Sequence, residues 1–516
     1  MNKKVIFSTI LALCFVSINA FSQNINDAIR YSSQYPEGTA RSIAMGNALT
    51  AVGGDMGGIT INPASSGIYR YSEIIFTPSY NNFSSNTNYL NTNYSINKGK
   101  LGVSNFGYVG SFDTGRNRSG LINWNIGLVY NKQNNFTGKT KAGGLNKNNS
   151  WLGALAENTT GYLSSNMDLT DTDKEAFYRG IPWSSVLAWN TSLMDLLPNT
   201  NNEYYGATET LNGNDIFLGG DLNQLFVNQT EGNKSETVFN FGGNISNMFY
   251  FGFNIGVQSI YYRTIESYSE SAATTFANGF NSFAREYRLT TNGTGVNLKA
   301  GFIFTPPGGF RIGASISTPT WFYMNEEWEE NINAQFTDGY NQTLYSPLGT
   351  YEYKLNTPFV YNIGIAYTLK PFFTVSADYQ YVDIPGSKFK TTDNSYDEVF
   401  DLANKEMKNF NGQNVFRAGV EGIINPYLSV RAGYQYYSKA TDNSAYSGIG
   451  DFERQYVSGG LGFNLADGFF IDFSYIQRLK GNKESFNLYS SNSITSPEGT
   501  NKMNSWQFLL SIGMRF

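Results

Sequence analysis

The chain has 516 residues, 41% hydrophobic and only 15% charged, with a formal net charge of −5, 36 Tyr, 39 Phe, 53 Gly and no histidine. The lack of histidine excludes Ser-His catalysis and histidine metal centres, and the acidic balance offers no basic stripe to nucleic acid. The only cysteine is Cys14, so no disulfide framework exists either.

Taken in chain order, Lys3 and Lys4 precede an apolar run that ends near Ala20, with small residues at Ala20 and Ser22. These features describe a removable secretory signal over residues 1–22. Its loss removes two lysines and takes the charge from −5 to −7. Residues 23–71 form a second region. "TARSIAMGNALTAV" predicts a short helix in it, whose Ile43, Met45, Ala48 and Val52 are too few to make a core. The region must therefore pack against something else. Next comes "GGDMGGITINPASSG", where Pro63 fixes a backbone angle and restricts Asn62, whose amide can satisfy nearby main-chain groups.

From Ser72 onward the pattern has a period of two. In "NMFYFGFNIGVQSIYY", Phe249, Phe251, Phe253, Ile255 and Val257 share one face and Gly252, Asn254, Gly256 and Gln258 the other. Strands are expected near 72–84, 99–112, 120–132, 236–247, 249–264, 284–305, 309–320, 350–368, 372–383, 410–422, 427–437, 453–465, 468–480 and 504–516. Their number is even and their connections alternate between short turns and long polar loops, as in an outer-membrane barrel. The long loops expected outside are 133–235, 265–283, 321–349, 384–409, 438–452 and 481–503, with both termini periplasmic. Abundant aromatics and low charge suit a wall with lipid outside and water inside. The fold expected is thus all-β: a 14-stranded antiparallel transmembrane barrel over 72–516 with a small N-terminal hatch, 23–71, in its lumen.

Along this barrel, "FGYVGS" interrupts the alternation, which marks Phe106, Gly107 and Tyr108 as a simple β-bulge or, on the resemblance given below, a wall kink. In the long loop, "IPWSSVLAWNTSLMDLL" places Val186, Trp189, Leu193 and Leu197 at helical spacing after serines able to cap the start. That stripe is either loop packing or an external hydrophobic capture site. Glu326 to Glu330 in "EEWEE", with Asp168, Asp171 and Asp173, lack calcium-loop spacing and read as solvated loops. Asp378 or Asp472, paired with Arg431 or Arg417, read as water-facing wall residues or salt bridges. "SWQFLLSIGMRF" ends on an apolar face closed by Phe516.

The stretch "RSIAMGNALTAVGGDMGGITINPASSGIYR", followed by a strand and by an all-β chain ending in Phe, resembles the hatch of the outer-membrane long-chain fatty-acid and aromatic-hydrocarbon transporter family. The centre of that resemblance is Asn62, Pro63 and Ala64, with Asp55 at the acidic position before them. It implies a passive channel for hydrophobic molecules such as long-chain fatty acids, in which these four residues are the gating candidates and the second strand carries a kink that opens the wall. The Gly-Gly and Met before the motif and the length of 133–235 depart from the family. The resemblance implies no enzyme activity, cofactor or metal. The partners expected are a hydrophobic ligand, outer-membrane lipid and lipopolysaccharide, and transiently the barrel-insertion machinery, with no nucleic acid and a monomeric state. Two alternatives stand beside it: a secretion-associated or structural barrel holding a protein partner at its external loops, and a general porin.

Overall fold

The computed structural model describes residues 25–170, 174–213, 215–392, 397–440, 453–479 and 483–516. The expected signal over 1–22, Asp171 and Asp173, and parts of the expected loops at 438–452 and 481–503 lie outside them. Among the described residues, fourteen antiparallel strands close on themselves.

The first strand is Glu73–Tyr89, the second Thr92–Asp113 and the third Leu121–Asn135, carried on by Gly138–Asn146. The fourth to sixth are Leu222–Ile245, Phe249–Ala272 and Phe280–Phe304. The seventh runs over Phe310–Ser317 and Trp321–Phe336, the eighth over Gly349–Asn356 and Val360–Leu369, and the ninth over Phe373–Val382 and Lys388–Thr391. The last five are Gln413–Asn425, Leu428–Tyr437, Arg454–Asn464, Phe469–Arg478 and Gly499–Arg515. Pairing of Glu73 with Arg515 through Asn88 with Thr500 closes the ring. Closure leaves no exposed edge at that seam and satisfies the main chain without water, which lipid requires. No described helix is long and apolar enough to cross a membrane.

The alternation sorts the two faces. Phe253, Ile255, Ile363 and Ile365 point out and are exposed, whereas Asn254, Gln258, Asn362 and Asp378 point in and are buried. Aromatic pairs edge the outward belt at both ends. Phe112 stacks on Trp124 at 4.3 Å and Tyr108 on Phe516 near the short turns, and Tyr80 meets Trp506 at 5.5 Å nearer the loops. Amphipathic rings at both interfaces are the mark of a transmembrane barrel.

Several expected boundaries change. The fifth and sixth strands extend into 265–283, and the seventh continues through 321–336 where a loop was expected. "EEWEE" therefore lies on a wall strand: Glu326 is fully buried, and Glu330 accepts a hydrogen bond from Arg285 Nε at 2.6 Å. The acids that alternate toward the interior are held by partners there instead of being solvated. Prolines break the seventh, eighth and ninth strands at one level, at Pro319, Pro358 and Pro385. A proline has no N–H for the ladder. The break is stapled by Thr320 N–H to Thr357 Oγ1 at 2.9 Å and Thr357 N–H to Thr320 O at 3.1 Å.

Beyond the third strand the chain builds an external unit with an apolar core that includes Leu152, Phe177, Val186, Leu187, Leu193 and, from the barrel rim, Phe283 and Ile332. The expected helix exists as Trp183–Asn190, but Pro182 precedes it and no serine caps it. It ends before Leu193, and Met194–Leu196 is a short strand.

Candidate functional site

Residues 25–70 line the inside of the ring and touch nearly every part of it. Their order comes from capping residues that lock together. Thr39 caps Ala40–Ala44 by accepting from Ser42 N–H, and Asp55 caps Met56–Ile59 by accepting from Gly57 N–H at 2.8 Å. Thr39 Oγ1 in turn donates to Asp55 Oδ1 at 2.8 Å. Asn62 caps the 3-10 turn Pro63–Ile68 by accepting from Ala64 N–H at 3.1 Å, and Pro63 occupies the first turn where its missing N–H costs nothing. Side-chain oxygens thus satisfy the free N–H groups of short helices that could not persist alone. "TARSIAMGNALTAV" keeps only the five-residue helix Ala40–Ala44.

Asn62 also faces the wall. Its Nδ2 donates to Thr50 O at 2.7 Å and to Phe302 O of the sixth strand at 3.1 Å. Pro63 O accepts from Asn240 Nδ2 at 3.1 Å, and Ala64, fully buried, packs with Tyr250 and Ile303. This approach explains inward glycines that the sequence left unassigned. A Cβ at Gly301 would sit 2.1 Å from Asn62 Oδ1, and one at Gly252 would sit 2.3 Å from the Pro63 carbonyl carbon. Glycine is needed where two main chains press together.

On the opposite wall the contacts are ionic. Arg41 donates to both oxygens of Glu421, from Nε at 3.0 Å and Nη2 at 2.9 Å, and Arg431 Nε donates to Glu421 Oε1 at 2.7 Å. Arg431 then reaches Asp472, and Arg41 Nη1 lies 3.9 Å from Asp55. Asp378 accepts from Thr50 N–H at 2.8 Å. Asp378 therefore holds the N-terminal segment directly, and Arg431 and Asp472 brace the Glu421 carboxylate that holds it, as well as facing the lumen. Arg417 is different. It is 7% exposed and donates Nη2 to Gln380, but Nε and Nη1 have no acceptor among the described residues.

The first helix, Ile25–Ser32, sits at the loop end of the lumen, where Ile25, Ile29 and Tyr31 pack with Phe322, Tyr353 and Phe389. The described chain thus begins at the end opposite Phe516, and the expected mature N-terminus near residue 23 lies outside the described residues. A central chamber of about 50 Å³ remains, lined by residues that include Glu37, Lys132, Lys299, Gln380 and Arg417, and beside it one of about 70 Å³. Each has room for a few waters.

The wall is incomplete at one place. The second and third strands pair from Asp113 with Asn123 up to Asn105 with Asn131, and the ladder stops there. Beyond it the third strand shifts register between Lys132 and Asn134 and turns inward, so that Gln133 O accepts from Tyr35 N–H at 2.9 Å. Its continuation passes inside the first strand, where Ser85 Oγ meets Thr140 Oγ1. Lys100, inward by its pairing with buried Asn81, is exposed for want of a neighbour. Phe106, Gly107 and Tyr108 are not the kink, because they pair regularly on both sides. The bulge on the second strand lies at Ser104, and Gly107 is glycine because Met56 Sδ approaches to 2.6 Å of where its Cβ would be.

The external candidates divide. Val186 and Leu193 are fully buried in the external unit, while Trp189 and Leu197 are half-buried at its surface. Trp189 Nε1 donates to Asp168 at 2.7 Å, so this acid is partnered. The four residues do not form one open apolar stripe.

The family model described as outer membrane protein transport protein (OMPP1/FadL/TodX) matches residues 226–516. The toluene transporter TodX of Pseudomonas putida is similar in structure, with a TM-score of 0.53, 12% identity and coverage of 94% of this chain and 100% of that one. A FadL homologue of Pseudomonas aeruginosa gives a TM-score of 0.52 and 11% identity, covering 94% and 100%. A search of curated proteins finds no match.

Proposed function

The chain belongs to the outer membrane protein transport family (OMPP1/FadL/TodX), and from that premise we propose that it carries hydrophobic carboxylates such as long-chain fatty acids inward without an energy source. The observation that carries the reading is the interrupted ladder above Asn105 and Asn131, beside a lumen filled by residues 25–70. A porin needs an open bore, and the chambers of about 50 and 70 Å³ beside residues 25–70 are too small to serve as one. A hydrophobic ligand instead gains by leaving water for apolar surface and needs a sideways way out of the lumen. Residues 25–70 serve as the hatch, Asp55, Asn62, Pro63 and Ala64 form its fixed joint, and the third-strand departure is the exit into the membrane. The short turns and Phe516 face the periplasm.

The carboxylate is favoured by Arg417. A buried guanidinium with two nitrogens, Nε and Nη1, lacking a described acceptor in a polar chamber pays a desolvation cost that an anion would offset. The toluene transporter above is named for a neutral substrate, so head-group charge is the feature to test. In cells lacking other hydrophobic transporters, Asn62→Ala should lower oleate uptake at normal surface abundance, and Arg417→Gln should lower uptake of oleate more than of oleyl alcohol. Unchanged oleate uptake in Asn62→Ala would remove the hatch role. A protein that co-purifies in stoichiometric amount, without bound lipid, would favour the partner-holding alternative.

A further inference from the structure

The two chambers share two lining residues, Tyr35 and Glu37. They are held very differently. Glu37 is pinned by Lys132 Nζ at 3.1 Å, Ser104 Oγ at 2.6 Å and Gln507 Nε2 at 3.1 Å. The Tyr35 ring is held by faces: the Arg454 guanidinium lies 3.8 Å from its centroid and the Tyr437 ring 5.8 Å away, tilted by 50°. Its main chain is fixed, because Tyr35 N–H donates to Gln133 O and Pro36 follows it. The ring is therefore the part of this segment able to turn while its backbone stays in place. Ring contacts of this kind are weak beside the ionic post at Glu37.

We infer that Tyr35 is a swinging partition between the two chambers, latched by Arg454, and that a ligand's polar head group, which chambers of this size can hold, moves from one to the other by replacing the ring against that guanidinium. Three features support it. Tyr35 faces both spaces. Arg454 Nε has no acceptor among the described residues, so that N–H can take an incoming polar group when the ring leaves. The main-chain bond to Gln133 sets the partition on the bend where the third strand leaves the wall, so passage and exit share one residue. The inference deepens the uptake reading and rests on it for the ligand, but the partition itself is testable without uptake.

The single cysteine, Cys14, lies in the leader, so Ser317→Cys gives the mature chain one thiol on the central chamber. Labelling of that thiol by a polar maleimide, on the purified full chain in detergent, should be slow. Adding Tyr35→Ala should accelerate it several-fold, whereas Tyr35→Phe should not, since the latch needs the ring and not the hydroxyl. Dodecanoate should also accelerate labelling when Tyr35 is intact. Equal labelling with and without Tyr35→Ala, in protein whose gel migration still shifts on heating as a folded barrel's does, would overturn the partition. Acceleration by Tyr35→Ala with no response to dodecanoate would uphold the partition and count against the uptake reading.

Discussion

The lumen and the external unit are filled with different shares of polar and apolar contact. Inside the ring, beside apolar seats such as that of Ile25, Ile29 and Tyr31, residues 25–70 meet the wall through many caps, amides and ion pairs such as Arg41 to Glu421 and Asn62 to Phe302. Above it, the external unit holds to the rim through apolar side chains, among them Leu187, Leu193, Phe276 and Phe280. Polar contacts can be exchanged for water one at a time, whereas an apolar core gives way as a whole. The first kind of packing suits a part that detaches, and the second suits a part that stays.

The largest effect that would test this contrast is at Glu421. Glu421→Ala leaves Arg41 and Arg431 without the carboxylate they share, and stranding buried charge costs about 3–5 kcal/mol. Single-channel conductance in a planar bilayer should rise, with the barrel still folded. Unchanged conductance would mean that the apolar contacts of the segment hold it unaided. Next comes Leu187→Ala, which should cost about 3 kcal/mol within the external unit. Limited proteolysis should then cut residues 146–222 sooner while the conductance stays as it was. A leak in this variant would show that the two regions are one cooperative body.

The smallest effect sharpens the contrast by pH, at an acid buried inside the external unit. Glu270 is fully buried; its Oε1 accepts from Trp151 N–H, Gln224 Nε2 and Tyr268 Oη, each at 2.8 Å, while Oε2 has no described partner. Burial pushes its carboxyl up to about 7, and that of Glu209 to about 6. A pKa raised on folding means that the folded unit prefers the proton. The stabilisation is complete below the ordinary value of 4.5 and is lost as pH rises through about 7. Amide exchange at Trp151–Thr159, corrected for the intrinsic rate, should be faster at pH 8 than at pH 5. Glu270→Gln should remove most of that difference.

Much of this was legible in the sequence because a barrel wall is a periodic object. Outward Phe253, Ile255 and Ile363 announce themselves, and so does the terminal strand ending in Phe516. The same rule, carried further, would have found the buried acids: in "MNEEWEENI", Met324, Glu326, Trp328, Glu330 and Ile332 share a face, and a run of charge hid the alternation. The kink was misplaced for a physical reason. Gly107 breaks the pattern because Met56 leans on it, a contact that no local rule reports, while the true departure lies in "NKQNNF", where both faces turn polar. The external stripe misled because spacing cannot tell a surface from a core. Arg417 and Tyr35 were out of reach, since their significance lies in what does not surround one and in what lies on both sides of the other.

The proline level across the seventh to ninth strands has a consequence for how such a chain changes over time. Above Pro319 and Pro358 the strands pair from Trp321 with Asn356 to Trp328 with Gly349, and below from Phe310 with Tyr367 to Ser317 with Val360, two separate ladders that share one register. Because the ladder is interrupted between the two, residues added or lost in the upper hairpins do not slide the side chains that face lipid. The outer storey is a cassette that can be lengthened, traded or carry a foreign epitope at Asp338–Gly339, on a foundation whose inside and outside stay in step.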